Sequence, residues 1–335
     1  RGAPVTVDAV FKPIEYTVRF VPNGPENDGE TVSEEKTQRF VYDQPQRLLA
    51  NEYAFPGMEF EGWTLTKDNE EEVTFEDRQR VSNLTTKDGE TVTLTAVWGA
   101  AWYTITCNSY HGTVSVYPYD YATMNSPVTL TVTPDSGYHL DTLTWMETGK
   151  RSVHPIEPDE EEQYGFTMPA SPVTVNGIFT PNTYTVHFDP GAEDGVSGSM
   201  EDQLFAYDEE QALTANVFTR DGYRFDRWFT GTEPDLLNPG TTYRDGETVL
   251  NLAEEGTVTL YAEWKKIPHD ITVYPVADSE DVTHGTASAY PVKAGVGDTV
   301  TLRVTPDEGY QVSLILVITD DLDFFVPTEK EDGIY

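Results

Sequence analysis

The 335-residue sequence predicts a mostly-β protein, built as a tandem array of small modules of two types in the order A-B-A-B. The first observation is an internal repeat, because the segment from Tyr16 to Trp98 returns as Tyr184 to Trp264. A repeat of this length is the leading sequence signal of architecture. The second is the alternation of apolar and polar residues in short runs, typical of half-buried strands. The third is a recurring Pro-Asp-x-Gly turn signal.

The type A modules are predicted at residues 14–99 and 182–265. Each opens with Tyr-Thr-Val-x-Phe, in which the apolar residues share one parity, as expected of a strand with one buried face. In the first copy the same pattern predicts strands at residues 16–20, 40–42, 58–63 and 92–98. Two connections are less regular. Residues 45–55 are predicted to form one helical turn or an irregular crossover, and residues 81–84 a short helical turn.

The type B modules are predicted at residues 100–181 and 266–335. Both contain Val-Thr-Pro-Asp-x-Gly-Tyr, at residues 132–138 and 304–310. Proline presets φ for a turn and glycine accepts a positive φ. Since apolar runs flank this turn, the sequence predicts that it closes a hairpin.

The two ends of the sequence match parts of a type B module. Residues 4–11 repeat residues 172–179, so residues 1–13 are interpreted as the closing strand of a preceding module. Tyr335 matches Tyr164, so the last module lacks that strand. A sheet without an edge strand exposes unpaired backbone groups that another chain can cover. We therefore expect residues 2–11 either to cover the first type A module or to exchange with another copy of the chain.

Composition excludes several classes of partner. The net charge of −37 is spread along the chain and opposes binding to nucleic acid or to anionic membrane surfaces. No run approaches the roughly 18 apolar residues of a membrane helix, so no membrane insertion is expected within these residues. The single cysteine, Cys107, shares the parity of Tyr103 and Ile105 and is expected to pack as a small hydrophobic residue.

The motifs resemble a known family. The type A pattern, Tyr-Thr-Val-x-Phe, Gly-Tyr-x-Phe-x-x-Trp and Leu-Tyr-Ala-x-Trp, is similar to the Listeria–Bacteroides repeat, the B-repeat of listerial internalins. The type B pattern, Thr-Pro-Asp-x-Gly-Tyr and Phe-Thr-Met-Pro-Ala-x-x-Val-Thr-Val, resembles the divergent form of that repeat. The first A copy departs from the pattern at Met58, where tyrosine is expected, and has Gly62 where the second has Arg227.

The resemblance implies small β-grasp-like modules with mixed or antiparallel sheets and little helix. It also implies tandem display on large secreted or wall-anchored bacterial proteins, and hence an extracellular location at the cell surface or wall. It supplies no catalytic residues.

No catalytic, cofactor or metal site is predicted. The carboxylates are too numerous and dispersed to single out an acid–base pair. The six histidines have no metal-ligand spacing. The tryptophans at positions 63, 98, 228 and 264 are interpreted as core or junction packing.

The candidate ligand-binding residues are Tyr117, Tyr119 and Tyr121. Three aromatic residues in a turn-prone segment can stack on a sugar ring or on a partner surface. The alternative is a turn whose tyrosines lie on their own neighbours.

Two functions follow as expectations. The first is a non-enzymatic stalk or adhesin segment of a large bacterial surface or secreted protein, which spaces other parts and contacts an unknown protein or glycan ligand. The alternative is a carbohydrate-directed binding module attached to a secreted enzyme.

Overall fold

A computed structural model describes residues 2, 5–24, 35–67, 70–192, 194–231, 240–276, 283–319, 323–329 and 333–335. Strands and connecting loops make up all of this part of the chain, with no helix among them, which confirms the mostly-β prediction. The chain divides into two compact units, Arg1–Thr180 and Pro181–Tyr335. Each unit contains one type A and one type B module.

The first type A module has seven strands: β1 (Glu15–Val21), β2 (Lys36–Val41), β3 (Gln46–Arg47), β4 (Met58–Thr66), β5 (Glu72–Phe75), β6 (Arg80–Val81) and β7 (Thr91–Ala100). Five of them form a mixed sheet in the order β2-β1-β7-β4-β5. The central pair, β1 and β7, is parallel, and the outer pairs are antiparallel. The apolar residues of β1 are buried at alternate positions, as the sequence pattern predicts.

The first type B module has eight strands: β8 (Trp102–Tyr110), β9 (Gly112–Tyr117), β10 (Tyr121–Thr123), β11 (Pro127–Pro134), β12 (Tyr138–Glu147), β13 (His154–Pro155), β14 (Tyr164–Thr167) and β15 (Val173–Pro181). They form two sheets, with strand orders β10-β8-β15-β12-β13 and β14-β11-β9. The closing strand β15 is therefore the central strand of the larger sheet. Its inward side chains, including Val173 and Val175, are buried in a core of ten residues between the sheets.

The second type A module has nine strands: β16 (Thr183–Asp189), β17 (Val196–Ser197), β18 (Gln203–Ala206), β19 (Gln211–Ala212), β20 (Thr219–Arg220), β21 (Tyr223–Thr230), β22 (Thr242–Tyr243), β23 (Thr248–Val249) and β24 (Gly256–Lys266). Its main sheet, β18-β16-β24-β21-β22, repeats the order of the first copy and its parallel central pair. The two copies also share a bulge, at Phe60/Gly62 and at Phe225/Arg227.

The last module has six short strands: β25 (His269–Asp270), β26 (Gly285–Tyr290), β27 (Lys293–Ala294), β28 (Thr301–Pro306), β29 (Val317–Ile318) and β30 (Phe324–Phe325). They form three two-stranded pairs instead of the larger sheets of the complete copy. Within the described part of residues 266–335, no side chain is buried.

Two sequence predictions require correction. The Pro-Asp-x-Gly turn forms, since the Tyr138 N–H donates to the Asp135 carbonyl at 3.0 Å. It does not close a hairpin, however, because β11 and β12 belong to different sheets. The turn carries the chain from one sheet to the other.

The helical turn predicted at residues 81–84 is also wrong. Asn83 has a positive φ of 57°, which a right-handed helix does not contain. Its amide oxygen accepts from the Asp43 N–H at 2.7 Å, and its amide nitrogen donates to the Asp43 carboxylate at 2.8 Å. Asn251 and Asp208 repeat both bonds in the second copy. Residues 45–55 contain only the two-residue strand β3 and follow the irregular crossover.

The same contacts join the A and B modules within each unit. In the first unit the Ala101 N–H donates to the Gly57 carbonyl at 2.9 Å, and in the second the Ile267 N–H donates to the Gly222 carbonyl at 2.8 Å. Both glycines have positive φ, 75° and 76°. A β-carbon on Gly57 would lie 2.7 Å from the Met124 sulfur of the B module. We call the hydrogen bond to this glycine, together with its close approach to the B module, the A–B junction.

Gly222 has the same close neighbour in its own unit, because a β-carbon there would lie 2.8 Å from the β-carbon of Val296. An ion pair between Lys266 and Asp298 adds to this second junction. The hydrogen bond from Lys266, and then that from the Gly295 N–H, hold the pKa of the Asp298 carboxyl below its usual range. The carboxylate is therefore ionised at neutral pH, and the contribution of this exposed pair, which solvent screens, is lost as the pH falls through the lowered pKa of Asp298.

Candidate functional site

The three candidate tyrosines lie at one edge of the first type B module. Tyr117 is the last residue of β9, Tyr121 is the first residue of β10, and Tyr119 lies in the connection between these strands. All three side chains are exposed. Tyr119 and Tyr121 also lie on each other, as the alternative of a turn with self-packed tyrosines predicts, so this segment combines exposure with packing on its neighbours.

Two of the tyrosines join a tryptophan to form a continuous aromatic surface. The rings of Tyr119 and Tyr121 stack with centroids 5.3 Å apart and an interplanar angle of 16°. The edge of Trp102 meets Tyr121 at 5.4 Å and 79°. The exposed fractions are 63% for Trp102, 60% for Tyr119 and 42% for Tyr121. We call these three residues the aromatic platform.

The strand register explains why Trp102 belongs to the platform. In the pairing of β8 with β10, Tyr121 faces Thr104 and Thr123 faces Trp102. Residues two apart on a strand share a face, so Trp102 and Tyr121 are diagonal neighbours on the outer side of the sheet. The sequence analysis missed Trp102. The alternation that places Tyr103 and Ile105 inward predicts an outward Trp102.

Tyr117 lies apart from the platform. It pairs with Thr129 in the smaller sheet, and among the described residues no ring contact joins it to Tyr119 or Tyr121. Its side chain is 73% exposed. The structure thus brings together two of the three predicted residues.

The platform is a feature of one module only. Tyr290 is the counterpart of Tyr117 in the last module, but Pro268 and Lys293 stand where the complete copy has Trp102 and Tyr121. A ligand that stacks on these rings would therefore bind residues 100–181 and not the second B copy.

The chemistry available at the platform is stacking and hydrogen bonding. Flat, exposed rings suit the apolar face of a sugar or of another ring. The neighbouring Asp120 is exposed and offers a carboxylate acceptor. Burial raises the pKa of the nearby Cys107 thiol, with a smaller contribution from Asp120. The thiol therefore stays protonated at neutral pH and packs against the core, as predicted.

The paired histidines serve packing in both B modules. His111 stacks on Tyr138 with centroids 4.1 Å apart, and His284 stacks on Tyr310 at 3.9 Å. Across the described ranges, no group of three His, Cys, Asp or Glu side chains converges so as to hold a metal ion. Nor does that part of the chain contain a helix long and apolar enough to cross a membrane.

A cavity of about 410 Å³ lies beside the bulge of the first type A module. Its lining residues are Glu61, Gly62, Trp63, Thr74, Phe75, Glu76, Gln79 and Val97. In the second copy, Arg227 replaces Gly62 and forms ion pairs with Asp226 and Glu263. Lys265 and then Arg227 hydrogen-bond Asp226 and lower the pKa of its carboxyl. The two copies therefore differ in the residues at this position.

The recurring tryptophans pack as predicted. Trp63 and Trp228 are fully buried in their module cores. Trp98 and Trp264 are partly buried, and each donates from its indole nitrogen to a proline carbonyl at 2.7 Å, that of Pro22 or of Pro190.

Comparison with known proteins gives matches to three of the four modules. A family described as the Listeria-Bacteroides repeat domain matches residues 16–87 and 184–263. A family described as the divergent InlB B-repeat domain matches residues 103–183. Repeats of this kind occur in surface or secreted bacterial proteins.

One curated relative is also similar. A protein of Evansella cellulosilytica, provisionally described as a Gly-rich membrane protein, is 28% identical over 145 residues. The match covers 43% of this chain and 15% of the relative. The chain thus corresponds to a small part of that protein.

Proposed function

The chain belongs to the Listeria-Bacteroides repeat and divergent InlB B-repeat families, and on that premise we propose that it is a non-enzymatic stalk segment of a bacterial surface or secreted protein. In this role each A–B pair acts as one stiff unit. The units hold other parts of the protein away from their point of attachment at the cell surface or wall.

The observation that carries the proposal is the recurrence of the A–B junction. Gly57 and Gly222 accept the same hydrogen bond and touch the following B module in the same way. The two type A modules also share the same core. Neighbouring domains joined by loose linkers move independently. A segment that acts as a spacer therefore needs defined junctions between its modules, and it does not need a ligand-binding site.

The junction makes a specific prediction. Replacing Gly57 with alanine forces a β-carbon against Met124 and strains a residue with φ of 75°, so the two modules should part. Spin labels at exposed cysteines replacing Glu72 and Arg151, in a Cys107→Ser background, report the distance between modules. We expect a narrow distance distribution for the parent and a distinctly broader one for Gly57→Ala.

Gly89→Ala is the matched control. Gly89 has a similar φ of 73°, but a β-carbon there meets nothing within 4 Å. The Gly89→Ala variant should therefore have the same backbone strain as Gly57→Ala but leave the distance distribution between the spin labels unchanged. A broad distribution in the parent, or equal broadening in both variants, would argue against a stiff pair.

The aromatic platform favours a second function for the same segment. We propose that the module of residues 100–181 also binds a glycan, either as an adhesin contact or as a carbohydrate-directed module attached to an enzyme. Trp102, Tyr119 and Tyr121 together expose three contacting rings. Exposed aromatic clusters of this kind mark binding surfaces.

The test is a glycan array probed with the chain, followed by calorimetric titration of any bound oligosaccharide into the chain. One stacked ring contributes about 0.5–1.5 kcal/mol, so Tyr121→Ala should weaken binding by up to about tenfold. Tyr290→Ala removes an exposed tyrosine from the last module and should have no effect. An array without signal, or equal losses of affinity in the two variants, would refute glycan binding at the platform. The stalk role would then be the only function proposed for this segment.

A further inference from the structure

Two neighbouring strands of the first type B module present a common surface to solvent. β8 and β15 run parallel within the larger sheet, with Thr174 beside Thr106 and Asn176 beside Asn108. Side chains alternate between the two faces of a strand. The odd-numbered residues of both strands face the core, and the even-numbered residues of 102–110 and 174–180 face outward. We call these outward residues the outer face.

The outer face carries no charged side chain. It consists only of Trp, Tyr, Ile, Asn and Thr, in a chain with a net charge of −37. The central strands of the type A sheets differ, because Arg19 lies on the outward side of β1 and Glu263 and Lys265 lie on that of β24. Charged partners are recognised by complementary charge, so a face without charge favours a neutral ligand.

Both ends of the outer face are apolar. The aromatic platform lies at one end. At the other end Tyr110 pairs with Ile178 across the two strands, and their side chains are 77% and 56% exposed. Trp102 and Tyr110 are the two ends of the nine-residue strand β8. At about 3.3 Å per residue, their α-carbons are about 26 Å apart.

Hydrogen-bonding groups lie between the two apolar ends. The Asn108 amide nitrogen donates to the Asn176 amide oxygen at 3.2 Å. Among the described residues, the Asn108 oxygen and the Asn176 nitrogen have no other partner. These groups are an acceptor and a donor that a ligand can use. Thr106 and Thr174 add two hydroxyl groups beside them.

The outer face is open to a ligand. Its residues on β8 are all exposed, and those on β15 are exposed or partly exposed. The apolar segment of residues 5–11 does not cover it, because these residues form no strand and lie exposed themselves. For the same reason, the expectation that they cover the first type A module is wrong.

We propose that the outer face binds a neutral, linear, β-linked polysaccharide that lies along β8 from the aromatic platform to Tyr110. The proposal rests on the glycan-binding function proposed above and adds the ligand class and the far end of the site. Sugar rings stack on the platform and on Tyr110, and the amides of Asn108 and Asn176 bind hydroxyl groups between them. A span of about 26 Å requires a chain of several sugars, so a disaccharide reaches one end only.

Calorimetric titration with paired disaccharides and hexasaccharides tests the proposal. The probes are cello-, xylo-, manno- and chito-oligosaccharides, all linear, β-linked and neutral. At least one hexasaccharide should bind more tightly than its own disaccharide. Tyr110→Ala should weaken that hexasaccharide by up to about tenfold, the effect of one stacked ring, and leave the disaccharide unchanged. Trp102→Ala should weaken both lengths.

Two controls accompany these variants. Tyr290→Ala removes an equally exposed tyrosine from the last module and should change neither affinity. A hexasaccharide of glucuronic acid, linked as in cellohexaose, should bind at least about tenfold more weakly than the neutral chain, because the acidic protein repels it and the outer face offers no cation. Equal binding of the neutral and acidic chains would contradict the ligand class.

The remaining outcomes separate this proposal from the one on which it rests. Equal affinity for both lengths, with no effect of Tyr110→Ala, would confine binding to the platform and overturn the extended site alone. Absence of binding by every probe would overturn both. Sedimentation velocity checks the competing occupant. A mass that doubles with concentration, and that Tyr110→Ala reduces, would make a second copy of the chain the partner of this face and refute the proposal.

Discussion

Val175→Asp is expected to unfold the module of residues 100–181. Val175 is fully buried on the central strand β15, where a carboxylate would have no compensating charge. Burying an unpaired charge costs more than about 3 kcal/mol, a large part of the stability of a small module. Hydrogen exchange read by mass spectrometry should show loss of protection throughout residues 102–181.

Ile178→Asp is the control for this prediction. Ile178 lies three residues further along the same strand and is more than half exposed, so its replacement should change protection little. Protection within residues 16–98 should persist in both variants, because the first type A module has its own core. If Val175→Asp left β8 and β12 protected, β15 would not hold that sheet together.

Trp228→Ala is expected to destabilise the second type A module by about 3–5 kcal/mol, the range for removing a large aromatic side chain from a core. Trp228 is fully buried and contacts the rings of Phe188, Phe218 and Phe225. The loss leaves a cavity among rings on β16, on β21 and in the loop before β20, which cannot close in without moving these segments. Denaturant unfolding should give the loss in the free energy of unfolding. Hydrogen exchange should show that the loss of protection lies within residues 183–266.

The internal repeat supplies two comparisons for Trp228→Ala. Trp63→Ala should give a loss of similar size confined to residues 15–100, because Trp63 has the same place in the first copy. Trp102→Ala removes an exposed indole and should cost little stability. A loss below about 1 kcal/mol in both core variants would contradict the account of these cores.

Much of the fold could be predicted from residue patterns because the relevant signals are local. Alternation identified β1 and its buried face, and the repeat identified Trp63 and Trp228 as equivalent core residues. The Pro-Asp-x-Gly turn was also predicted correctly as a turn. The pairing of its flanking strands with each other was wrong, because strand partners depend on contacts between distant residues, which a turn does not specify.

The remaining errors have the same origin. The two hydrogen bonds between Asn83 and Asp43 join residues 40 apart in the chain. They fix a positive φ at Asn83 that the adjacent residues in the sequence do not predict. Trp102 was missed as part of the aromatic platform because its role depends on a diagonal contact across two strands. The central place of β15 likewise appears only in the sheet order.

Small-angle X-ray scattering tests the stalk proposal most directly. Data collected across a protein concentration series and extrapolated to infinite dilution exclude association as a source of extended particles. Spaced, stiff module pairs predict a concentration-independent radius of gyration well above the roughly 20 Å of a compact globule of this length, with a skewed distance distribution. A radius near 20 Å would mean that the modules fold back on one another, and the stalk proposal would be wrong.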